Sequence, residues 1–132
     1  GLKGLNVLAA EDNELNAEIL REVLGMFGAK CTLCENGQQA VERFEASRAG
    51  EYDLILMDIQ MPVMDGYEAT RAIRTGIHPD AKTVPIVAMT ANAFAEDVQK
   101  SIDAGMNAHI SKPVDAYSLN KMIGDLMQSL KR

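Results

Sequence analysis

The sequence predicts an α/β domain: five parallel strands in one sheet, with five helices on both of its faces. Three observations carry this. Five short apolar runs alternate strictly with five amphipathic stretches, the pattern of a parallel sheet covered on both sides. The third run, Leu54 to Met57, is apolar without interruption and enters Asp58, as a strand buried on both faces does. The chain has 132 residues, long enough for one domain with a proper core. With right-handed crossovers, this length fits the flavodoxin-like strand order 2-1-3-4-5.

The elements follow in order. Asn6 to Ala10 is an apolar run ending in Glu11-Asp12-Asn13. From Glu14 the pattern turns helical, with Leu15, Ile19, Val23, Met26 and Phe27 on one stripe, Asn13 as N-cap and Gly28 as the stop. Lys30 to Cys34 reads as the second strand, and Asn36-Gly37 opens a helix with Ala40, Val41 and Phe44 on its inner face. After the third strand, Pro62 breaks the run, and Asp65-Gly66 turns into a helix reaching about Thr75. Val84 to Met89 is the fourth strand, with Pro85 near its start. A helix carrying Val98 and Ile102 stops near Gly105, and Ala108 to Ser111 is a short fifth strand ending at Lys112-Pro113. Asp115 to Lys131 is the last helix, with Leu119, Met122, Ile123, Leu126, Met127 and Leu130 at helical spacing.

Composition is that of an ordinary globular domain, with eight Met and no Trp. A net charge of −6 argues against direct nucleic-acid contact, and no apolar run suits a membrane span or signal peptide. Cys31 and Cys34 are a lone C-x-x-C on a strand, where residues three apart face opposite ways. They read as two reduced packing thiols, which points to a cytoplasmic compartment. His78, beside Pro79 in a loop, reads as solvated.

Chemistry gathers past the carboxyl ends of the strands. Glu11 and Asp12 follow the first strand, Asp58 the third, Thr90 the fourth and Lys112 the fifth. Strands 1 and 3 adjoin at the switch point, where such folds bind ligands. Three carboxylates meeting there repel one another unless a cation joins them or a proton is shared, and Lys112 offsets one charge only. Mg²⁺ fits, because it takes one or two carboxylates with waters and phosphate oxygens. A cation, a lysine and a hydroxyl around a carboxylate suit phosphoryl transfer, with Asp58 as nucleophile.

Glu11-Asp12-Asn13, Met57-Asp58-Ile59-Gln60-Met61-Pro62 with Asp65-Gly66, Thr90-Ala91 and Lys112-Pro113 resemble the receiver domains of two-component response regulators over nearly the whole chain. The resemblance implies a CheY-like fold. It implies that Asp58 accepts a phosphoryl group from a histidine, and that Asp12, Asp58 and the Gln60 backbone carbonyl hold Mg²⁺, with Glu11 acting through water. Lys112 would contact the phosphoryl group and Thr90 would be the switch, while Gln60 and Asn92 would tune hydrolysis. A cis Lys112–Pro113 peptide is also implied. The wording is most similar to receivers of hybrid histidine kinases. The implied partners are therefore a histidine kinase transmitter domain or a histidine phosphotransfer domain, with the receiver a monomer or a weak phosphorylation-dependent dimer. Residues 1–132 would be one receiver, excised from a larger protein or standing alone. One residue departs from the pattern: His109 stands where the family carries Tyr or Phe, and a buried, satisfied imidazole is the expectation there.

The expected mechanism is a population shift, in which phosphorylated Asp58 recruits Thr90 and Lys112 and biases the surface of helix 4, strand 5 and helix 5. Ile19 and Val23 are candidates for docking the histidine-bearing partner only where that stripe is exposed, core packing on the sheet being the expectation for it. The domain would catalyse its own phosphorylation and dephosphorylation and turn over no metabolite. Three rivals compete: an aspartyl-phosphate phosphatase of the haloacid-dehalogenase kind, a flavin or dinucleotide binder, and a receiver-like interaction module without phosphorylation. The first lacks its acid, since Gln60 stands two residues after Asp58; the second lacks a glycine-rich phosphate loop.

Overall fold

The computed structural model describes residues 2–91 and 95–130. Strands and helices alternate: β1 (Asn6–Ala10), α1 (Glu14–Met26), β2 (Lys30–Cys34), α2 (Gly37–Ala46), β3 (Leu54–Asp58), α3 (Gly66–Thr75), β4 (Ile86–Thr90), α4 (Ala95–Ala104), β5 (Ala108–Ser111) and α5 (Ala116–Leu130). All four strand pairings are parallel, and the order is β2-β1-β3-β4-β5. The predicted architecture and strand order are therefore observed.

Strand alternation divides the core in two. Val7, Ala9, Leu54, Leu56, Val87, Met89 and Ile110 face α1 and α5, meeting Leu20, Leu24, Leu119 and Ile123. Leu8, Ala10, Ile55, Met57, Ile86 and Ala88 face α2 and α3, meeting Ala40, Phe44, Ala69 and Ile73. Each fully buried Leu, Ile or Phe contributes roughly 1.5–3 kcal/mol before conformational entropy is subtracted.

Local chemistry sets the helix starts. The Asn13 side chain accepts from Asn16 N–H at 2.9 Å, and Asn36 caps α2 in the same way through Gln39 N–H at 2.9 Å. Asp65 and Glu68 form a reciprocal capping box at α3. Two glycines hold the β3–α3 loop. A Cβ on Gly66 would overlap the Asp58 carbonyl oxygen, and one on Gly37 would lie 2.5 Å from the Met64 carbonyl oxygen. Between them Val63 takes φ 70°, a left-handed conformation costly for a β-branched side chain.

Several expectations are corrected. α1 is rotated by about one residue: it buries Leu20, Val23 and Leu24, and leaves Leu15 70% and Met26 74% exposed. The sequence carries two overlapping helical stripes, and the one with more branched aliphatic volume packs on the sheet. β4 starts at Ile86 rather than Val84, because Pro85 has no N–H for a ladder, and it extends to Thr90. Ile102 on α4 is exposed, while Ser101 and Ala104 are buried. α5 starts at Ala116, after Asp115 accepts from Ser118 N–H at 2.7 Å; Lys131 lies outside the described residues.

Cys31 and Cys34 are both free and pack into opposite core layers, as their spacing predicts. Burial pushes the Cys31 thiol up to about 11, against an ordinary value of 9.0. Its alkylation by iodoacetamide at pH 8 is expected to run roughly 100-fold slower than that of an unstructured thiol, since only the thiolate reacts. Equal rates by mass spectrometry would mean the β2 edge opens freely.

Candidate functional site

The carboxyl ends of β1, β3, β4 and β5 converge on one cavity of about 280 Å³, lined among others by Glu11, Asp12, Asp58, Gln60, Thr90 and Lys112. Asp58 is the last residue of β3, 3% exposed, and Glu11 directly follows β1, 4% exposed. Asp12 beside it is exposed. One carboxylate oxygen from each of Glu11, Asp12 and Asp58 lies within 4.8 Å of the others. The three acidic residues named from sequence are thus brought together by two adjacent strands, β1 and β3.

Lys112 reaches in from the end of β5. Its Nζ lies 2.7 Å from Asp58 Oδ2 and 3.0 Å from Glu11 Oε1. The Asp58 Oδ1 accepts from Gln60 N–H at 3.3 Å, and Glu11 Oε2 accepts from Asn13 N–H at 3.2 Å. Burial pushes the Glu11 carboxyl up; Asp58 beside it adds to the rise and Lys112 opposes it. Burial alone would lower the Lys112 ammonium, but hydrogen bonds and attraction from Asp58 and Glu11 hold it above its ordinary value. Three carboxylates against one ammonium leave an excess of negative charge in a partly buried pocket. Such a donor set, all oxygen and clustered, fits a hard divalent cation.

Thr90 closes β4, buried on the rim of the same cavity. Asn92 lies outside the described residues. His109 is not buried as expected: β5 is the edge strand, Ile110 turns inward, and His109 is exposed on a groove beside α5. The Lys112–Pro113 peptide is cis, as the motif implies.

His78 is also corrected. Its side chain is 3% exposed and stacks on Phe44, with ring centroids 4.3 Å apart. Nδ1 accepts from Asp80 N–H at 2.9 Å, so the proton sits on Nε2, which donates to the Ser47 carbonyl at 2.9 Å. Ser47 Oγ lies 3.1 Å from the same Nε2, but that protonated nitrogen cannot act as a base toward it. Ser47, His78 and Asp80 therefore tie two loops together rather than form a nucleophilic triad.

Sequence reasoning missed Tyr67, Asp97, Asn13 and Asn16 as cavity residues. Tyr67 directly follows Asp65-Gly66 and Asn13 directly follows Glu11-Asp12, so adjacency to the site residues was the signal for both.

Fold and site define a doubly wound α/β domain with an acidic, lysine-flanked pocket at its topological switch point. The chain belongs to the response regulator receiver domain family, which it matches over residues 7–124. It is 38% identical over 125 residues to a peroxide stress-activated histidine kinase of Schizosaccharomyces pombe, covering 94% of this chain and 8% of that protein. The curated proteins it resembles include hybrid histidine kinases. It spans about a tenth of the length of such relatives, 8% and 12% in two of them.

Among solved structures, it is similar to the receiver domain of a sensor histidine kinase from Pseudomonas aeruginosa PAO1 with a magnesium ion coordinated in the active site cleft. That match has TM-score 0.82 and 38% identity, covering 98% of this chain and 99% of that one. It also resembles a chain in the co-crystal of a Saccharomyces cerevisiae histidine phosphotransfer signalling protein with the receiver domain of its downstream response regulator. There the TM-score is 0.79 and identity 34%, covering 92% of this chain and 88% of that one. The protein is a receiver domain of two-component signalling.

Proposed function

We propose that this receiver takes a phosphoryl group from a partner's phosphohistidine onto Asp58 and relays it to a phosphotransfer domain or output partner. The observation that carries this is the buried Asp58 carboxylate, 2.7 Å from Lys112 and clustered with Glu11 and Asp12. A carboxylate so placed is exposed to nothing but the cavity, and the cavity offers charge of both signs.

Asp58 Oδ attacks phosphorus in line with the leaving imidazole nitrogen. The new O–P bond forms as the P–N bond breaks, and the nitrogen keeps the electron pair. Lys112 exchanges its contact with Asp58 for one with a phosphoryl oxygen, and the Thr90 hydroxyl takes another. Asp12, Asp58 and the Gln60 carbonyl, with Glu11 nearby, would hold Mg²⁺, which would supply neutralisation of the phosphoryl oxygens. The added charge at Asp58 then biases Thr90 and α4. Gln60 stands next to the phosphoryl position and affects water access to it. The chain in this reading is a switch that catalyses its own phosphorylation and turns over no metabolite.

The Pseudomonas receiver's magnesium and the yeast complex's phosphotransfer partner support this reading. A parent hybrid histidine kinase is the natural source of the group. Of the two residues considered for docking, Val23 is buried and drops out, while half-buried Ile19 lies on α1 with exposed Leu15 and Met26. That face is the candidate for the histidine-bearing partner.

Beryllofluoride, a phosphoryl mimic, is expected to bind only when Mg²⁺ is present, and Asp12→Asn to weaken Mg²⁺ binding at least about tenfold. Titration calorimetry reads both. Equal beryllofluoride affinity without Mg²⁺ would overturn the metal assignment.

A further inference from the structure

Val63 is the strained residue of the loop that follows Asp58. Its φ is 70°, and across it Met64 N–H donates to the Pro62 carbonyl at 2.7 Å. An i to i+2 hydrogen bond around a residue of positive φ is the uncommon, strained form of the γ-turn. Glycine takes such a backbone without penalty, whereas a β-branched side chain is among the worst choices for it. The side chain gains little from the domain's own core, because it is 80% exposed. An isolated exposed valine needs no explanation. One that keeps its backbone strained while facing solvent points to a contact outside the chain.

The loop presents this side chain rigidly. Gly37 N–H donates to the Met64 carbonyl at 3.1 Å, Gly66 N–H donates to the Ile59 carbonyl at 2.9 Å, and Asp65 caps α3 directly after. The loop also borders the cavity. Gln60 lines it, and Gln60, Met61 and Pro62 line an adjoining groove that shares Asp12, Tyr67 and Asp97 with it. Pro62 lines a second groove with Glu14, Ala17 and Glu18 of α1, the helix whose outer face is the candidate for the histidine-bearing partner. Among the described residues, the charged side chains of that second groove are all acidic. Val63 therefore continues a surface running from α1 past the cavity mouth, and the complement of that surface is basic.

We propose that Val63 is a specificity-determining residue for phosphotransfer, an apolar contact covered by the phosphohistidine-bearing protein as it brings its imidazole in line with Asp58. The partner surface is apolar where it meets Val63 and basic around that point. This rests on the phosphoacceptor reading of the cavity. A small phosphodonor enters the cavity without covering its rim; a protein donor closes over the rim and over Val63.

Transfer kinetics with two donors test it: acetyl phosphate, and the histidine phosphotransfer domain of the source organism that labels the unmodified chain fastest. Val63→Gly removes both side chain and strain. Val63→Thr keeps the β-branched shape and the strain but exchanges a methyl for a hydroxyl. Both variants are expected to keep acetyl phosphate labelling within about twofold of the unmodified rate. With the protein donor, kcat/KM is expected to fall at least about tenfold in Val63→Gly and about threefold in Val63→Thr, mainly through KM. Val63→Gly should melt no lower than the unmodified protein, since relief of strain offsets the added freedom of the unfolded chain. Unchanged protein-donor transfer in Val63→Gly overturns the proposal and leaves the phosphoacceptor reading intact. An equal fall with both donors, or a lower melting temperature in Val63→Gly, does the same, because the side chain would then serve the cavity or the fold. Labelling by acetyl phosphate but by no phosphohistidine domain overturns the proposal together with the relay. Labelling of the unmodified chain by neither donor overturns the reading of the cavity itself.

Discussion

Asp58→Asn is expected to abolish acid-labile phosphorylation by acetyl phosphate, a loss of at least about 1,000-fold in rate, with the fold intact. The amide keeps the shape of the carboxylate but has no anionic oxygen to attack phosphorus. It also removes one of the three acidic groups that make the pocket a cation site. Stability should move by less than about 1 kcal/mol, because two effects oppose one another. The variant gives up the 2.7 Å ion pair with Lys112 but also the repulsion between Asp58 and Glu11, and Lys112 retains Glu11 at 3.0 Å. Radiolabel incorporation followed by acid and base lability reads the first effect, and thermal unfolding the second. Label persisting in the variant would assign the nucleophile elsewhere, with Asp12 the next carboxylate in the cavity.

The topology and most of the site were legible because both depend on what lies at strand ends. A βα repeat forces successive strands to run parallel, so whatever follows each strand falls on one edge of the sheet. Glu11, Asp12, Asp58 and Lys112 needed no side-chain detail to be gathered there, and Asp58 and Thr90 differ only in closing β3 and β4 rather than following them. What was illegible depends on rotation about an element's own axis. Leu15, Ile19, Val23 and Met26 have helical spacing, but so do Leu20, Val23, Leu24 and Phe27, and only packing decides between them. His109 is exposed and His78 buried for a related reason: a histidine pattern says nothing about which neighbours supply partners. The Ser47 and Asp80 backbones that satisfy His78 come from residues 31 and 2 positions away.

Glycine roles were half legible. Gly66 reads from sequence as the residue after a turn, yet its backbone conformation is ordinary helix, and the demand on it comes from the neighbouring strand end. Gly66→Ala is therefore expected to destabilise the protein by about 3 kcal/mol, although Ala is intrinsically the better helix former by up to about 1 kcal/mol. The added methyl overlaps the Asp58 carbonyl oxygen and crowds the Ile59 Cα, and neither can withdraw. Asp58 belongs to the buried β3, and the Ile59 carbonyl holds the Gly66 amide at 2.9 Å. The helix must shift outward, carrying Tyr67 and the Asp65–Glu68 capping box with it. A melting temperature lower by roughly 10 °C is expected for a domain of this size. Gly25→Ala in α1, where a Cβ meets nothing within 4 Å, is the control and should be neutral or stabilising. If Gly66→Ala proves as stable as that control, α3 is not seated against the Asp58 backbone.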